Sequence, residues 1–436
     1  MTSSATTPAT RVPRTTAAWS LIGLVLLTVN LRAAITGVSP LLGDLRDVLH
    51  LSGFQVSVLT TLPVLCLGVF ASLAPVLANR LGTEAAIAGS LVLITLGIVL
   101  RIVPSPVALY LGTVLAGAGI AMGNVLVPAV IKRAFPSRVG SLTGLAMMVM
   151  AASGAVAAGL AVPLHDAGGW RLALAVWAVP SLIAALTWGP LALRARRRPA
   201  VPSAPAPVTA AGGGQGRDEG SLLRSGTAWS VAAFMGLASL MFYVLLSWLP
   251  EIMRDAGYAP AAAGMMVSAM MIVGIPLGFL VPVAAARLRD QRVLVAALAV
   301  IMVVGLVGLL TAPAAGWVWA VTLGIGTGSA FPLAFTLLNL RSPDPSTAAR
   351  LSGMAQTSGY LLAAAGPLAV GVLHSATGGW DIPLVLLLVL VVPEIVSGLL
   401  AARPGFVQPN PARPEGHAEH LVEPKEIAVP EAARAR

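Results

Sequence analysis

Leu142-Thr143-Gly144-Leu145-Ala146 returns as Leu351-Ser352-Gly353-Met354-Ala355, 209 residues further on. The same offset carries Leu164-His165 onto Leu373-His374 and Gly117-x-Gly119-x-Ala121 onto Gly326-x-Gly328-x-Ala330. It also relates Lys132 to Arg341 and Pro136 to Pro345. With a slip of one residue, Gly168-Gly169-Trp170 becomes Gly378-Gly379-Trp380. The chain is therefore built from two related halves. Both are strongly apolar, which implies a membrane protein with a pseudo-two-fold axis. Substrate sites in such parallel repeats lie where the halves meet.

Composition leads to the same class. The chain is 57% hydrophobic and 10% charged, with a mean hydropathy of +0.88. Soluble domains carry about 25% charged residues, so these 436 residues cannot cover a water-facing surface. The single cysteine, Cys66, lies in an apolar run and reads as a small core residue. One thiol forms no internal disulfide, and no Cys/His cluster implies a metal. The net charge of +10 invites a nucleic-acid reading. The basic residues lie in short turns between apolar runs, however, where they orient a membrane protein.

Spans of about 20 residues are needed to cross about 30 Å of hydrocarbon. They fall near 18–41, 54–78, 85–103, 107–131, 140–163, 172–193, 228–250, 262–285, 293–312, 317–340, 351–373 and 381–402. The expected architecture is all-α: twelve transmembrane helices in two bundles, 18–193 and 228–402. A tail over 1–17, a Pro/Ala/Gly-rich linker over 194–227 and a polar, disordered tail over 403–436 complete the expected organisation. With the amino terminus inside, 22 of the 27 Lys and Arg fall on the cytoplasmic side. Four, Arg46, Arg101, Arg171 and Arg254, fall in outer loops, and Arg32 lies within a span. Both termini are therefore expected in the cytoplasm. The Ala-, Gly- and Arg-rich composition suggests a GC-rich bacterium, and with it the cytoplasmic membrane. Partners are then the lipid bilayer and a small-molecule substrate, with no nucleic acid.

An ion inside a span is a functional candidate by default. Arg32, in Asn30-Leu31-Arg32, is roughly 13 Å of helix from the end of its span. A buried guanidinium offers five donors in a planar fork suited to an oxyanion. Arg32 thus reads as the anchor of a small anion, against the plainer role of holding carbonyls at the helix break that Gly37 and Pro40 imply. Its repeat position is Met241, so the second half has no matching charge. Asn124, Tyr243, Trp248, Gln356, Thr357 and Tyr360 are the other polar groups within spans. Each contacts substrate or bonds a neighbouring helix. Glu394 is the clear intramembrane carboxylate, and its place in the last span reads as peripheral. Spans 1, 4, 7 and 10 contain no carboxylate, so proton coupling is expected to be weak or absent. His165 and His374, at outer helix ends, read as caps.

No phosphate loop of the Gly-x-x-x-x-Gly-Lys-[Ser/Thr] type occurs, so no ATPase activity or ATPase partner is implied. No nucleophile, base or metal-ligand set converges within the spans, which disfavours a membrane enzyme. No catalytic residue and no cofactor are expected.

Twelve spans, a basic central linker and 6+6 parallel repeats resemble the major facilitator superfamily. That superfamily's loop between spans 2 and 3, Gly-x-x-x-Asp-Arg-x-Gly-Arg-Arg, is degraded here to Ala74-Pro75-Val76-Leu77-Ala78-Asn79-Arg80-Leu81-Gly82-Thr83. Arg80 and Gly82 of the gating loop survive, and Asn79 replaces the Asp. Within the superfamily the chain resembles the cyanate porter (CynX/NimT, cyanate/nitroimidazole) group. The carrying strings begin at Asn30-Leu31-Arg32-Ala33-Ala34-Ile35-Thr36-Gly37 and Gly123-Asn124-Val125-Leu126-Val127-Pro128. Two further strings are Tyr243-Val244-Leu245-Leu246-Ser247-Trp248-Leu249-Pro250 and Met354-Ala355-Gln356-Thr357-Ser358-Gly359-Tyr360. The resemblance implies a facilitator that moves a small anion or polar heteroaromatic compound by alternating access. Asn30, Arg32 and Asn124 would contact it from the first half, and Tyr243, Gln356 and Tyr360 from the second. A multidrug exporter of the same superfamily is the rival reading, and it would be expected to show a wide apolar cavity and an embedded carboxylate.

Overall fold

The computed structural model describes residues 14–197 and 222–407. Most of the two tails and of the linker read from the sequence lies outside the described residues. Fourteen α-helices account for most of the described chain, and no strand occurs among the described residues. In the first half they are α1 (Arg14–Thr36), α2 (Leu42–Leu49), α3 (Gly53–Ala71), α4 (Leu73–Leu81), α5 (Thr83–Arg101), α6 (Pro106–Ala134), α7 (Val139–Ala175) and α8 (Ala178–Arg197). In the second they are α9 (Gly226–Asp255), α10 (Pro260–Arg287), α11 (Arg292–Thr311), α12 (Gly316–Leu340), α13 (Pro345–Thr377) and α14 (Asp381–Ala401).

These helices give twelve crossings. Ten stretches are individually long and apolar enough to span a bilayer, and the pair α3/α4, bent by 48°, supplies an eleventh. One of the ten, Pro136–Leu193, runs for 58 residues. Its 87 Å or so of helix, at about 1.5 Å per residue, is too long for one crossing. It is broken at Gly168 and Gly169, the latter with φ +75°, so it holds two. The repeated Gly-Gly-Trp string thus marks one hairpin in each half. In the second half Gly378, at φ +70°, closes α13 in the left-handed conformation that favours glycine. The α3/α4 bend has a local cause. Pro75 has no N–H to give the Ala71 carbonyl, and α3 ends at Ala71.

The sequence reading missed α2. It turns Leu45 and Leu49 inward and leaves Arg46 exposed, on a stretch assigned to a loop. Arg101 is the second departure. Placed in an outer loop by charge counting, it is instead 2% exposed at the end of α5, and its guanidinium donates to the Ala34 carbonyl. The amide of Val38 bonds back to Ile35, so Ala34 loses its intrahelical donor where α1 ends. Arg101 replaces that donor. The carbonyl-holding role weighed for Arg32 is therefore performed by a different arginine.

Large apolar side chains such as Val107, Val293, Leu368 and Val372 face outward, as lipid requires. The interior is arranged unequally along the membrane normal. At the end bearing the basic turns, the basic end, one continuous core joins the two halves, from Leu24 and Leu126 to Phe335 and Tyr360. Toward the far end the core divides into separate clusters. One, around Leu41, Leu109 and Trp170, belongs to the first half. The other, around Met241, Met266 and Leu387, belongs to the second.

Candidate functional site

Where the shared core ends, a cavity of about 330 Å³ opens between the halves. The first half lines it with Arg32 and Thr36 of α1 and with Met147, Met150 and Gly154 of α7. The second half adds Ser239, Phe242 and Tyr243 of α9, Ser268 and Met271 of α10, Thr327 and Phe331 of α12, and Tyr360 of α13.

Arg32 is held at this wall by the packing of α1 on α7. A Cβ on Gly154 would sit 3.4 Å from the Arg32 Cβ, in ordinary van der Waals contact, so the two helices pack closely here. The Thr36 hydroxyl donates to the Gly154 carbonyl over 2.9 Å and fixes the same contact. The guanidinium itself has no hydrogen-bond or ion-pair partner among the described residues. Its charge acts on the phenols of Tyr243 and Tyr360. The Tyr360 and Phe331 rings lie 6.4 Å apart, centroid to centroid, and tilted. The site is one cation, two phenols, a few hydroxyls and a wall of aromatic and thioether groups. It can offer charge-assisted hydrogen bonds to an oxyanion or nitro group and an adaptable apolar surface to a ring.

Of the residues singled out from sequence, Arg32, Tyr243 and Tyr360 meet at this cavity. Asn30, Asn124 and Gln356 do not line it. Asn30 turns to α8, donating to the carbonyls of Leu26 (2.7 Å) and Pro180 (3.3 Å). Asn124 is buried in α6, and its side-chain oxygen has no partner. Gln356 donates to the Ser352 hydroxyl at 2.7 Å, while its own oxygen is likewise unpartnered. Trp248 bonds the Pro367 carbonyl and packs on Trp380. Glu394 is not peripheral. It is 6% exposed, buried against Phe234, Met302, Gly326 and Ala330, on a face of α12 away from the cavity. Among the described residues, no group of three or more His, Cys, Asp or Glu is placed to hold a metal.

The methionine walls carried a sequence signal that was not used. Seven of the fourteen methionines fall in two short windows, 147–150 and 265–271. Such clusters make adaptable surfaces.

Below the cavity the halves are sealed, and the seal is built from the repeated strings. A Cβ on Gly144 would lie 2.7 Å from the Phe279 carbonyl of α10. A Cβ on its repeat partner Gly353 would lie 2.8 Å from the Pro75 ring of α4. Gly140 meets Pro282 and Ala286 in the same way. Lys132 reaches across from α6 to donate to the Asn339 carbonyl, 2.8 Å away in the last turn of α12. There a cation meets the negative end of a helix dipole. The Asn339 amide makes a weak contact with the Thr143 hydroxyl at 3.5 Å. Arg80 and Gly82, the surviving gating-loop residues, are exposed, and Gly82 takes φ +89° at the α4–α5 turn. The ion pairs Arg133–Glu84, His165–Asp44 and Arg292–Asp290 each lie within one half.

The Major Facilitator Superfamily family model matches residues 24–367. The chain belongs to that superfamily. It is 40% identical over 393 residues to the uncharacterized transporter YycB of Bacillus subtilis (strain 168), covering 89% of this chain and 94% of that one. The 2-nitroimidazole transporter of Escherichia coli (strain K12) is 37% identical, covering 88% of this chain and 95% of that one. The cyanate transport protein CynX of the same strain is 30% identical, covering 83% of this chain and 91% of that one. In fold it is similar to the proton:xylose symporter XylE bound to 6-bromo-6-deoxy-D-glucose, with TM-score 0.71 and 12% identity, covering 89% of this chain and 95% of that one. This superfamily member is a multi-pass membrane transporter of small solutes and not an enzyme. It is of the nitroimidazole/cyanate transporter type.

Proposed function

We propose that this protein carries a small anion or small polar solute, cyanate-like or nitroimidazole-like, across the cytoplasmic membrane by alternating access. One observation carries the reading: the Arg32 guanidinium lies without a protein partner at a cavity between the halves, beside Tyr243 and Tyr360. A charge inside a span is costly unless it is paired, hydrated or used. Here the bidentate fork is free for a negative or strongly dipolar group. The relatives named for 2-nitroimidazole and cyanate transport support the same solute class.

Cavity size separates the two kinds. Ligand pockets begin at roughly 300 Å³. Cyanate has three heavy atoms and would leave most of the space to water. A nitroimidazole would place its nitro oxygens on Arg32 and its ring against Phe331, Tyr360 and the methionine wall. Asn124 and Gln356, held in or near the seal, would meet the solute as the basic end opens. With the basic end and both termini in the cytoplasm, as the distribution of Lys and Arg favours, this conformation faces outward. Proton coupling would be weak or absent, since no carboxylate lines the cavity.

The test is uptake of radiolabelled cyanate, with nitrite and 2-nitroimidazole as competitors, into proteoliposomes of wild type, Arg32→Lys and Arg32→Ala preloaded with unlabelled cyanate. The reading expects saturable uptake that both variants lose while remaining folded. Undiminished uptake by Arg32→Ala would return Arg32 to structure and redirect the search to neutral or cationic cargo, the territory of a multidrug exporter.

A further inference from the structure

Arg32 is a fixed charge that the protein does not neutralise. The cavity wall contains no carboxylate, and the titratable groups facing the guanidinium are two phenols, Tyr243 and Tyr360. Phenols ionise near pH 10 in water, so they supply no counter-charge. Glu394, the intramembrane carboxylate, packs on another face of α12. The rest of the lining includes methyl and thioether groups of Met147, Met150 and Met271, which accept hydrogen bonds weakly or not at all, and the neutral hydroxyls of Thr36, Ser239, Ser268 and Thr327.

Alternating access passes through a state closed at both ends. Loaded with a monovalent anion, that state encloses a neutral pair. Empty, it encloses an unpaired guanidinium cut off from bulk water, and an uncompensated buried charge is strongly disfavoured. A divalent anion would leave one negative charge unbalanced in the same place.

We propose that the protein is an obligate exchanger of monovalent anions. Resting on Arg32 as the anion ligand, this reading allows passage between the outward and inward states only with an anion on Arg32, so a nitroimidazole would cross as its ring-deprotonated anion. Each anion carried one way is matched by one carried back. The exchange is one for one and moves no net charge. The driving force is the gradient of the counter-anion, with no proton needed. The absence of a cavity carboxylate and the solitary cation are then two sides of one design.

Flux and conformation test this separately. Proteoliposomes loaded with carbon-14 cyanate, and a second set with carbon-14 benzoate, are diluted into sulfate medium with valinomycin and equal potassium holding the potential at zero. Exchange predicts slow efflux that the same unlabelled anion outside accelerates by at least about fifty-fold, the order of the penalty for an unpaired arginine within a span. Arg32-dependent efflux equally fast without external anion would overturn exchange and leave the anion site standing. Absence of any Arg32-dependent flux of either anion would overturn the anion site and exchange with it.

The second readout places a thiol in the seal, as Thr143→Cys in a Cys66→Ser background. A membrane-impermeant maleimide is applied at the basic end of inside-out vesicles. Labelling should be slow in sulfate, fast with benzoate, and fast without benzoate once Arg32→Gln is added. Fast labelling in sulfate with Arg32 present would mean that the empty carrier crosses freely, contrary to the proposal.

Discussion

The two halves agree at the seal and disagree at the cavity. Gly144 and Gly353, 209 residues apart, each bring a helix against the other half at the basic end. Gly144 meets α10 and Gly353 meets α4, as a pseudo-two-fold axis requires. Arg32 and its counterpart Met241 share nothing comparable. Arg32 lines the cavity, and Met241 is fully buried in the far core of the second half. Lys132 and Arg341 diverge in a third way. Lys132 crosses to the other half, whereas Arg341 stays within its own, capping the α14 carbonyls of Ala401 (2.8 Å) and Ala402 (3.0 Å) and bonding Gln291. Duplication thus preserved the close helix contacts at the basic end and left the cavity's cation on one side.

The largest effect should come from moving the asymmetric charge. Arg32→Ala is expected to cut transport about a hundredfold or more, in line with losses of 2–5 kcal/mol when one member of a hydrogen-bonded charge pair is removed. Adding Met241→Arg should not restore it. The new cation would be buried among Leu240, Val244 and Leu245. An uncompensated buried charge costs about 3–5 kcal/mol, so the melting temperature in detergent should fall sharply. Recovery of transport in the double variant would show the halves to be functionally equivalent.

A second effect tests their likeness at the seal. Gly144→Ala and Gly353→Ala should both weaken closure at the basic end and raise labelling of a seal cysteine. Overpacking costs about 1–3 kcal/mol. Gly144→Ala should be the worse, because its added carbon meets a backbone carbonyl while that of Gly353 meets a ring edge. Equal labelling by both, or no change in either, would separate the repeat from the gate.

Much of this architecture was legible in the sequence, for definite reasons. Crossings reveal themselves because lipid demands uninterrupted apolar helix, and the repeat survived because close helix packing tolerates little but glycine at Gly144 and Gly353. Arg32 could be found because an unneutralised charge in a span is rare. The failures have physical causes too. Asn30, Asn124 and Gln356 are polar residues within spans that lie off the cavity in this conformation, and one-dimensional sequence does not say which face of a helix turns to it. Asn30 faces α8. Arg101 was misplaced because its position, at a span end, is also where topology charges sit. Only the freed Ala34 carbonyl explains its burial.

Lys132 and Arg341 give a third contrast. Arg341→Met should lower stability by about 1–3 kcal/mol, since the carbonyls it satisfies are left buried. Lys132→Met should leave the melting temperature nearly unchanged and shift the carrier toward opening at the basic end. Burial pushes the Arg341 guanidinium below its usual range, with Asp290 opposing. It keeps its charge at neutral pH, so no change in the first effect is expected between pH 6 and 8, where arginine stays protonated.

The smallest effect concerns Asp344, which caps α13 beside the seal. Partial burial raises its carboxyl, but hydrogen bonds from Ser346 and Thr347 outweigh this and hold it below the usual carboxylate range. A depressed carboxylate contributes stability that is present above its unfolded pKa, about 3.9, and is lost as pH falls through the lower folded value. Asp344→Ala should therefore cost about 1 kcal/mol at pH 7, and the difference from wild type should vanish only in strong acid.

The central claim is that the cavity between the halves is the solute site and that Arg32 is its ligand group. The most direct measurement is labelling of Thr36→Cys in a Cys66→Ser background, from the far side, with and without cyanate, 2-nitroimidazole or benzoate. The account predicts ready labelling, slowed by at least one of these solutes, and loss of that protection when Arg32→Gln is added. A thiol unreactive from that side, or protection that persists without Arg32, would contradict it.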